Sequence, residues 1–259
     1  MYNDVQLTAM PTDRYDRTMP DSCESCEVRK TAICCSLDRA GLAALGRLGR
    51  KMRLSAGQTL VWEGDESVVV GNVLSGMLKL STVTGDGREQ IVGIVYPSDF
   101  IGRPFGKDSH HSVTALTDAS LCVFGRGTFD RFAREHEAVG HALLERTLTE
   151  LDRARHWMLL LGRKSACERV ASLILEMAER MGGGRDLVLP LSRQQMADVL
   201  GLTIETVSRS LTKLKQSGII SLPGPRLLSI AHPEKLERIA AAPGLSRDVR
   251  EQVSKSLEA

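Results

Sequence analysis

Between residues 36 and 135, short apolar runs alternate with glycines, and this pattern predicts a domain built from antiparallel strands. The three valines at 68–70 are β-branched and favour a strand. Gly-Asp-Gly at 85–87 is typical of a hairpin tip. Three leucines spaced three residues apart, Leu42, Leu45 and Leu48, indicate one helix before the strands. We therefore expect a β-sandwich or β-barrel preceded by a short helix.

From residue 136 to 163, small or apolar residues recur at alternating steps of four and three, which is the period of a coiled-coil seam. Before Gly162 the segment has no proline and one glycine, Gly140. It could form a helix that packs on its own domain. Its length and its narrow apolar stripe instead favour a helix that pairs with a second copy in a homodimer. The predicted seam consists of Leu144, Thr147, Leu151, Ala154, Met158 and Leu161.

The segment from 164 to 235 has the start and stop signals of several short helices. Ser192, followed three residues later by a glutamine, forms a capping box before a helix that we expect to end at Gly201. Thr203 is placed to cap a second helix, which should end near Gly218. Two short helices joined by a tight glycine turn predict a helix-turn-helix.

Two apolar runs follow the second of these helices, at 219–222 and 227–230, with Pro-Gly-Pro between them. Proline and glycine at this spacing are typical of a turn. The runs therefore predict two strands that form a wing beside the helix-turn-helix.

The second helix has side chains that suit contacts with base edges. Glu205, Ser208 and Arg209 share the face opposite its apolar side. Arginine can donate two hydrogen bonds to guanine, and glutamate can accept one from the cytosine amino group. Glu205 and Arg209 could instead form a surface ion pair, but their place in the first turns of a capped second helix favours contact with double-stranded DNA. For contacts with the DNA backbone the sequence offers Arg193, Thr203, Lys213 and Lys215.

Four of the six cysteines crowd into residues 23–35. Cys23, Cys26 and Cys34 are soft ligands at a spacing that suits zinc or an iron–sulfur cluster. Cys35 could replace Cys34 as the third ligand. A fourth thiolate could come from the remote Cys122, which could equally be an ordinary buried cysteine.

Composition adds few constraints. A net charge of +2 is too small to indicate nucleic-acid binding by itself. No apolar run approaches the roughly 20 residues that span a bilayer, and the first residues lack the apolar stretch of a secretory signal. We expect a cytoplasmic protein without a membrane partner. No nucleophile–base set is recognisable, so we expect that the protein is not an enzyme.

The sequence resembles the oxygen-responsive FNR branch of the CRP/FNR superfamily of bacterial regulators, from Cys23 to about Pro233. Four groups of residues support the resemblance, namely the cysteine set with Cys122, the glycine pattern Gly57-x2-Leu60-x3-Gly64-Asp65 … Gly76-x2-Lys79, Trp157-Met158-Leu159-Leu160-Leu161, and Leu202-Thr203-x-Glu205-Thr206-x-Ser208-Arg209.

The resemblance implies an α+β fold with a cyclic-nucleotide-binding-like β-roll, a long dimerisation helix and a C-terminal winged helix-turn-helix. It also implies that oxygen degrades a bound 4Fe–4S cluster and dissociates the dimer. The implied cluster ligands are Cys23, Cys26, Cys34 and Cys122. Glu205, Ser208 and Arg209 would read palindromic sites of the TTGAT…ATCAA type, and β-roll loops around residues 84–87 would contact RNA polymerase.

The predicted organisation therefore has six parts. They are a mobile tail at 1–22, a cysteine-rich cluster-binding segment at 23–35, a β-roll sensory domain at 36–135, a dimerisation helix at 136–163, a winged helix-turn-helix at 164–235 and a tail at 236–259.

Two features depart from the best-known member of the branch. A longer spacing separates the second and third cysteines, which leaves Cys34 favoured over Cys35 but not assigned. Ala154 stands where that member has a carboxylate, so we expect a dimer that depends less on an intact cluster. Ile33, beside Cys34, is the apolar neighbour expected to limit solvent access to the cluster.

Three other interpretations compete with an iron–sulfur regulator. A cyclic-AMP sensor would need glycine–glutamate and arginine–serine pairs, which residues 100–113 lack. A DNA-binding regulator of the same fold could use zinc or thiol oxidation, and the adjacent Cys34 and Cys35 keep this alternative open. An iron–sulfur electron carrier is opposed by the helix-turn-helix.

Overall fold

The computed structural model describes residues 15–16, 23 and 25–241. The chain divides into two compact units, 1–153 and 154–259. The predicted tails lie largely outside the described residues, which include only residues 15–16 of the first tail and residues 236–241 of the second. No helix in the described ranges is long and apolar enough to cross a membrane.

Unit 1 is the predicted β-rich domain, with nine strands among its described residues. They form a five-stranded sheet in the order β1-β2-β9-β4-β7 and a four-stranded sheet in the order β3-β8-β5-β6, with antiparallel pairing throughout. The strands are β1 (Tyr15–Asp16), β2 (Arg50–Leu54), β3 (Thr59–Val61), β4 (Val69–Ser75), β5 (Leu78–Val83), β6 (Glu89–Val95), β7 (Phe100–Ile101), β8 (Ser112–Ala115) and β9 (Ala119–Gly125).

Alternating side chains place one core between the two sheets. Leu121 and Val123 of β9 lie in this core together with Val73 of β4 and Leu78 of β5, as expected for strands with two distinct faces. Gly76 is required at the turn before β5, since it has a φ of 78° and an added Cβ would lie 2.2 Å from the Asp118 carbonyl oxygen.

Three α-helices in the described ranges belong wholly or partly to unit 1. They are α1 (Arg39–Leu48), α2 (Arg126–Glu135) and α3 (Glu137–Arg163), and a 3₁₀ turn at Ile33–Ser36 precedes α1. The leucine pattern correctly predicted α1, whose first turn is capped by a hydrogen bond from the Gly41 N–H to Asp38 Oδ1 at 2.7 Å. Helix α2 was not predicted. Its Phe129 and Phe132 join Ile33, Leu45 and Phe124 in a second core on the outer face of the five-stranded sheet.

Helix α3 has 27 residues and presents the predicted seam to solvent. Leu144, Leu151 and Met158 have 56%, 43% and 73% of their surface exposed. The other seam positions are Thr147 and Ala154, which are exposed, and Leu161, which is partly buried. An exposed apolar stripe at heptad spacing on one long helix fits the predicted dimer seam.

Among its described residues, unit 2 has four further helices and a three-stranded sheet in the order β10-β12-β11. After the end of α3, its elements are α4 (Ala166–Arg180), β10 (Asp186–Val188), α5 (Arg193–Leu200), α6 (Ile204–Gln216), β11 (Ile220–Gly224), β12 (Leu227–Ile230) and α7 (Pro233–Ala240). The wing prediction is confirmed, although β11 extends through Gly224 and the turn lies at residues 225–226.

The boundary expected between residues 235 and 236 falls inside α7. This helix begins at Pro233, a favoured first helical position, and packs on α4. Leu236 and Ala240, one helical turn apart, are buried. The expected C-terminal tail is therefore wrong for residues 236–240, which belong to the helical domain because their apolar side chains complete its core.

Candidate functional site

Four cysteines line one cavity on the outer face of the five-stranded sheet. They are Cys23, Cys26, Cys34 and Cys122, the same four that the resemblance implied as ligands. Cys35, the alternative to Cys34, is exposed and does not line the cavity. The fold thus brings three thiols from the segment before α1 to one thiol from β9.

Strand alternation explains the position of Cys122. Its neighbours Leu121 and Val123 face the core between the sheets, so Cys122 faces the opposite side. In the adjacent strands, Asn72 of β4 and Lys51 of β2 are the residues in register with it. Cross-strand partners of this kind share one face of the sheet, so an amide and an ammonium group flank the Cys122 thiol.

Two glycines bring the backbone close to the thiols. A Cβ added to Gly46 would lie 3.0 Å from Cys23 Sγ, and one added to Gly49 would lie 3.3 Å from Cys122 Sγ and 2.8 Å from Phe124 Cε1. Larger residues at either position would crowd the cavity. Sequence reasoning did not single out these glycines, because both also fit ordinary helix positions in and after α1.

The rest of the cavity wall is mainly apolar. It consists of Val28, Leu42, Leu45, Gly46, Asn72, Leu74 and Phe124. Asn72 is the polar member of this wall. It is 2% exposed, and its Oδ1 has no hydrogen-bond partner among the described residues. Ile33, expected to limit solvent access, does not line the cavity itself but is fully buried in the second core, against which Cys34 and Cys122 pack.

Burial makes the thiols of Cys34 and Cys122 hard to ionise. Desolvation is the main cause that raises the pKa of Cys34 to about 11, and the nearby Cys26 is the second cause. Desolvation and the other three cysteines raise the pKa of Cys122 to about 12, although Lys51 opposes the shift. As free groups these thiols are protonated at neutral pH and therefore poor nucleophiles. A bound metal centre would hold them as thiolates instead.

The donor set fits an iron–sulfur cluster. Four thiolates are the ligand number of a 4Fe–4S cluster, and an apolar wall limits solvent access to such a site. In the described part of the chain, no group of three or more His, Cys, Asp and Glu side chains is arranged to hold a single metal ion.

The second candidate site is the helix-turn-helix formed by α5 and α6. The Gln195 N–H donates to Ser192 Oγ at 3.1 Å, and the Ser192 N–H donates to Gln195 Oε1 at 2.8 Å, which is the predicted capping box. Gly201 ends α5 in the left-handed conformation with a φ of 59°. Thr203 Oγ1 accepts from the Thr206 N–H at 3.3 Å and caps α6. The local signals therefore predicted this motif correctly.

Helix α6 presents the predicted base-reading residues to solvent. Val207, Leu211 and Leu214 are buried on one face, whereas the other face exposes Glu205, Ser208 and Arg209.

An ion pair between Glu205 and Arg209 was the competing interpretation of their spacing. Hydrogen bonds from the Glu205 N–H and the Thr203 hydroxyl contribute most to lowering the pKa of Glu205, and the charge of Arg209 contributes least. The Arg209 guanidinium lies 3.5 Å from Thr206 Oγ1.

The residues predicted to contact the DNA backbone differ in exposure. Thr203, Lys213 and Lys215 are exposed, whereas Arg193 is partly buried, and desolvation lowers its pKa. Sequence reasoning missed Arg169 of α4, which donates to the Leu200 carbonyl at the end of α5 at 3.0 Å. This hydrogen bond fixes the start of α4 to the helix-turn-helix. The two residues are 31 positions apart, so the contact leaves no local signal in the sequence.

Both domains match known families. The Crp-like helix-turn-helix domain matches residues 168–239, and the cyclic nucleotide-binding domain matches residues 51–136. The transcriptional activator protein FnrL of Cereibacter sphaeroides is 43% identical over 217 residues, which cover 81% of this chain and 88% of FnrL. The chain belongs to the CRP/FNR family of transcription regulators.

Other members of the CRP/FNR family are also similar. The nitrogen fixation regulation protein FixK of Bradyrhizobium diazoefficiens is 40% identical over 85% of this chain and 94% of that protein. The solved structure of FixK2 from Bradyrhizobium japonicum is 32% identical, has a TM-score of 0.72, and is matched over 76% of this chain and 99% of FixK2. These similarities confirm the predicted fold class and a role in transcription regulation.

Proposed function

We propose that this protein is an oxygen-responsive transcription regulator controlled by a 4Fe–4S cluster. The cluster would be held by Cys23, Cys26, Cys34 and Cys122. The observation that supports this proposal most strongly is that these four thiols line one largely apolar cavity. When bound, such a cluster would be the group that reacts with oxygen, and this reaction would degrade it.

The position of the cysteines suggests how ligation would affect the protein. Cys122 belongs to β9, which pairs with a strand on each side, whereas the other three ligands lie in turns before α1. Holding all four thiolates together would fix the N-terminal segment against the sheet. Release of the thiolates would free this segment. The parts of unit 1 that contact the segment would then no longer be held in place by it.

The output would be binding to DNA as a homodimer. Two copies would pair through the exposed seam of α3, and Glu205, Ser208 and Arg209 of each copy would read half of a TTGAT…ATCAA-type palindrome. The hairpin tip between β5 and β6 offers a candidate surface for RNA polymerase. It is exposed and ordered by Arg88 Nε, which donates to Asp86 Oδ2 at 2.7 Å.

The alternative is a regulator of the same fold controlled by zinc or by thiol oxidation. A thiol switch favours exposed cysteines with lowered pKa values. Burial instead raises the pKa values of Cys34 and Cys122, which makes these two thiols poorly suited to a thiol switch.

Anaerobic purification tests the proposal directly. We expect about four irons and four sulfides per chain, and visible absorbance that bleaches in air. A gel shift with a TTGAT…ATCAA duplex, measured before and after exposure to air, should lose the shifted band together with the absorbance. Colourless protein that contains zinc would support the alternative, and protein without metal would reject the cluster.

A further inference from the structure

Asn72 has a buried side-chain amide whose oxygen lacks a hydrogen-bond partner among the described residues. The residue is 2% exposed, and the unpartnered atom is Oδ1. Buried polar groups in folded proteins are nearly always hydrogen-bonded, and an exception calls for an explanation. In this case the explanation must account for a polar side chain in a wall that is otherwise formed by apolar residues and cysteines.

The register of the sheet shows what this amide can reach. Asn72 of β4 is directly in register with Cys122 of β9. Val73, next to Asn72, belongs to the core between the sheets, so Asn72 and Leu74 face the other side, where both line the cysteine cavity. The partner of the amide must therefore come from the cavity and not from the interior of the β-roll.

The unpartnered atom, Oδ1, is an acceptor, and a metal-bound thiolate can also only accept, so the two cannot bond as placed. The oxygen and the NH2 group of an asparagine side chain exchange places by a half-turn of the terminal torsion, and the hydrogen bonds around them decide which placement is adopted. With a metal-bound thiolate in the cavity, this half-turn would direct an N–H donor at its sulfur. Hydrogen bonds to the sulfurs of a cluster are among the factors that set its reduction potential. Such a bond stabilises the more negative, reduced form, so it makes the cluster harder to oxidise.

We propose that Asn72 positions the Cys122 thiolate by donating a side-chain N–H to its sulfur, and so slows the attack of oxygen on the bound cluster. This inference rests on the proposed function, since it requires a cluster in the cavity. It assigns Asn72 a positioning role in addition to the four ligands.

Asn72→Leu tests the inference, because it removes the amide with little change in side-chain size. The control is Leu74→Met, which alters the same cavity wall without adding or removing an N–H donor. Iron and sulfide content, the reduction potential and the rate of bleaching in air are measured on wild type and both variants after anaerobic purification. Circular dichroism of the same samples checks the fold.

We expect Asn72→Leu to bind iron and sulfide and to have a more negative reduction potential than wild type. It should also bleach about tenfold faster, which is the low end of the effect of removing a residue that is hydrogen-bonded to a metal ligand. Leu74→Met should retain the wild-type potential and rate. Wild-type potential and bleaching rate in loaded Asn72→Leu would overturn the inference while leaving the cluster in place. Wild-type protein without iron would instead overturn the proposed function and the inference with it.

A second pair of variants covers the case in which Asn72→Leu does not fold. Asn72→Ala and Asn72→Ser remove nearly the same volume, but serine keeps a hydroxyl donor in the same strand position. We expect the alanine variant to bleach faster than the serine variant. Equal rates in two loaded variants would overturn the role of a donor at this position.

Discussion

The guanidinium of Arg146 in α3 donates a hydrogen bond to the backbone carbonyl of Thr31, between the second and third cysteines of the cavity. It also donates to the Ser98 carbonyl at 3.2 Å, and Thr31 Oγ1 lies 2.6 Å from Ser98 Oγ. The helix that has the predicted dimer seam therefore contacts the cysteine-rich segment directly. A change in that segment has a short physical route to α3.

Arg146→Met should uncouple the cluster from dimerisation. The substitution keeps an unbranched side chain but removes the charged donor, whose hydrogen bonds contribute about 1.5–3 kcal/mol each. We expect normal iron content and a dimer dissociation constant at least about tenfold higher in the loaded protein. Anaerobic sedimentation would measure this constant, with Arg131→Met, at an exposed position of α2, as the control. An unchanged constant in Arg146→Met would contradict the coupling.

The two adjacent cysteines should behave differently. Cys34→Ser should lose iron and sulfide, because it removes a thiol that lines the cavity. Cys35→Ser should retain both, because Cys35 is exposed and lies outside the cavity. Metal analysis after anaerobic purification separates the two results, and each variant serves as the control for the other. Loss of iron in Cys35→Ser alone would assign the third ligand to Cys35.

Local sequence signals predicted the parts of this protein in which neighbouring residues determine the structure. The helix-turn-helix was predictable because its signals are local. Each helix is capped by a side chain, from Ser192 or Thr203, that bonds to a residue three positions further on, and Gly201 ends α5 through its own backbone conformation. Helix α2 was not predictable, because it follows β9 without a loop and no capping side chain marks its start. Its burial depends on packing against the sheet.

The geometry of the cysteine cavity was only partly predictable. The cysteine spacing gave Cys23, Cys26 and either Cys34 or Cys35 as candidate ligands, and the resemblance added Cys122. Asn72 and Arg146 gave no signal, because their roles depend on partners 50 and 115 residues away. Contacts of this length are determined by strand register and helix packing, which a local pattern does not encode.

Ala154 should allow the dimer to persist without the cluster. It is exposed on α3 at a predicted seam position, where two copies would face each other. Ala154→Asp would place two carboxylates together, at a cost of about 1–4 kcal/mol at 4 Å separation for exposed or partly exposed pairs. We expect the wild-type apoprotein to sediment as a dimer at micromolar concentration, well above the protein concentrations at which the gel shift reports DNA binding, and the apo variant as a monomer. A monomeric wild-type apoprotein would contradict this prediction.

Arg209 and Lys215 should affect DNA binding in different ways. Arg209→Met should weaken binding to the TTGAT…ATCAA duplex by about 1–3 kcal/mol and relax the preference for guanine, because it removes a bidentate donor to the base edge. Lys215→Met should weaken binding to all duplexes alike and reduce the salt slope by about one, because it removes a phosphate contact. Fluorescence anisotropy at several salt concentrations, with matched duplexes that differ at the guanine, measures both effects. If Arg209→Met weakened binding equally on both duplexes, Arg209 would be a backbone contact, and base recognition would have to come from Glu205 and Ser208.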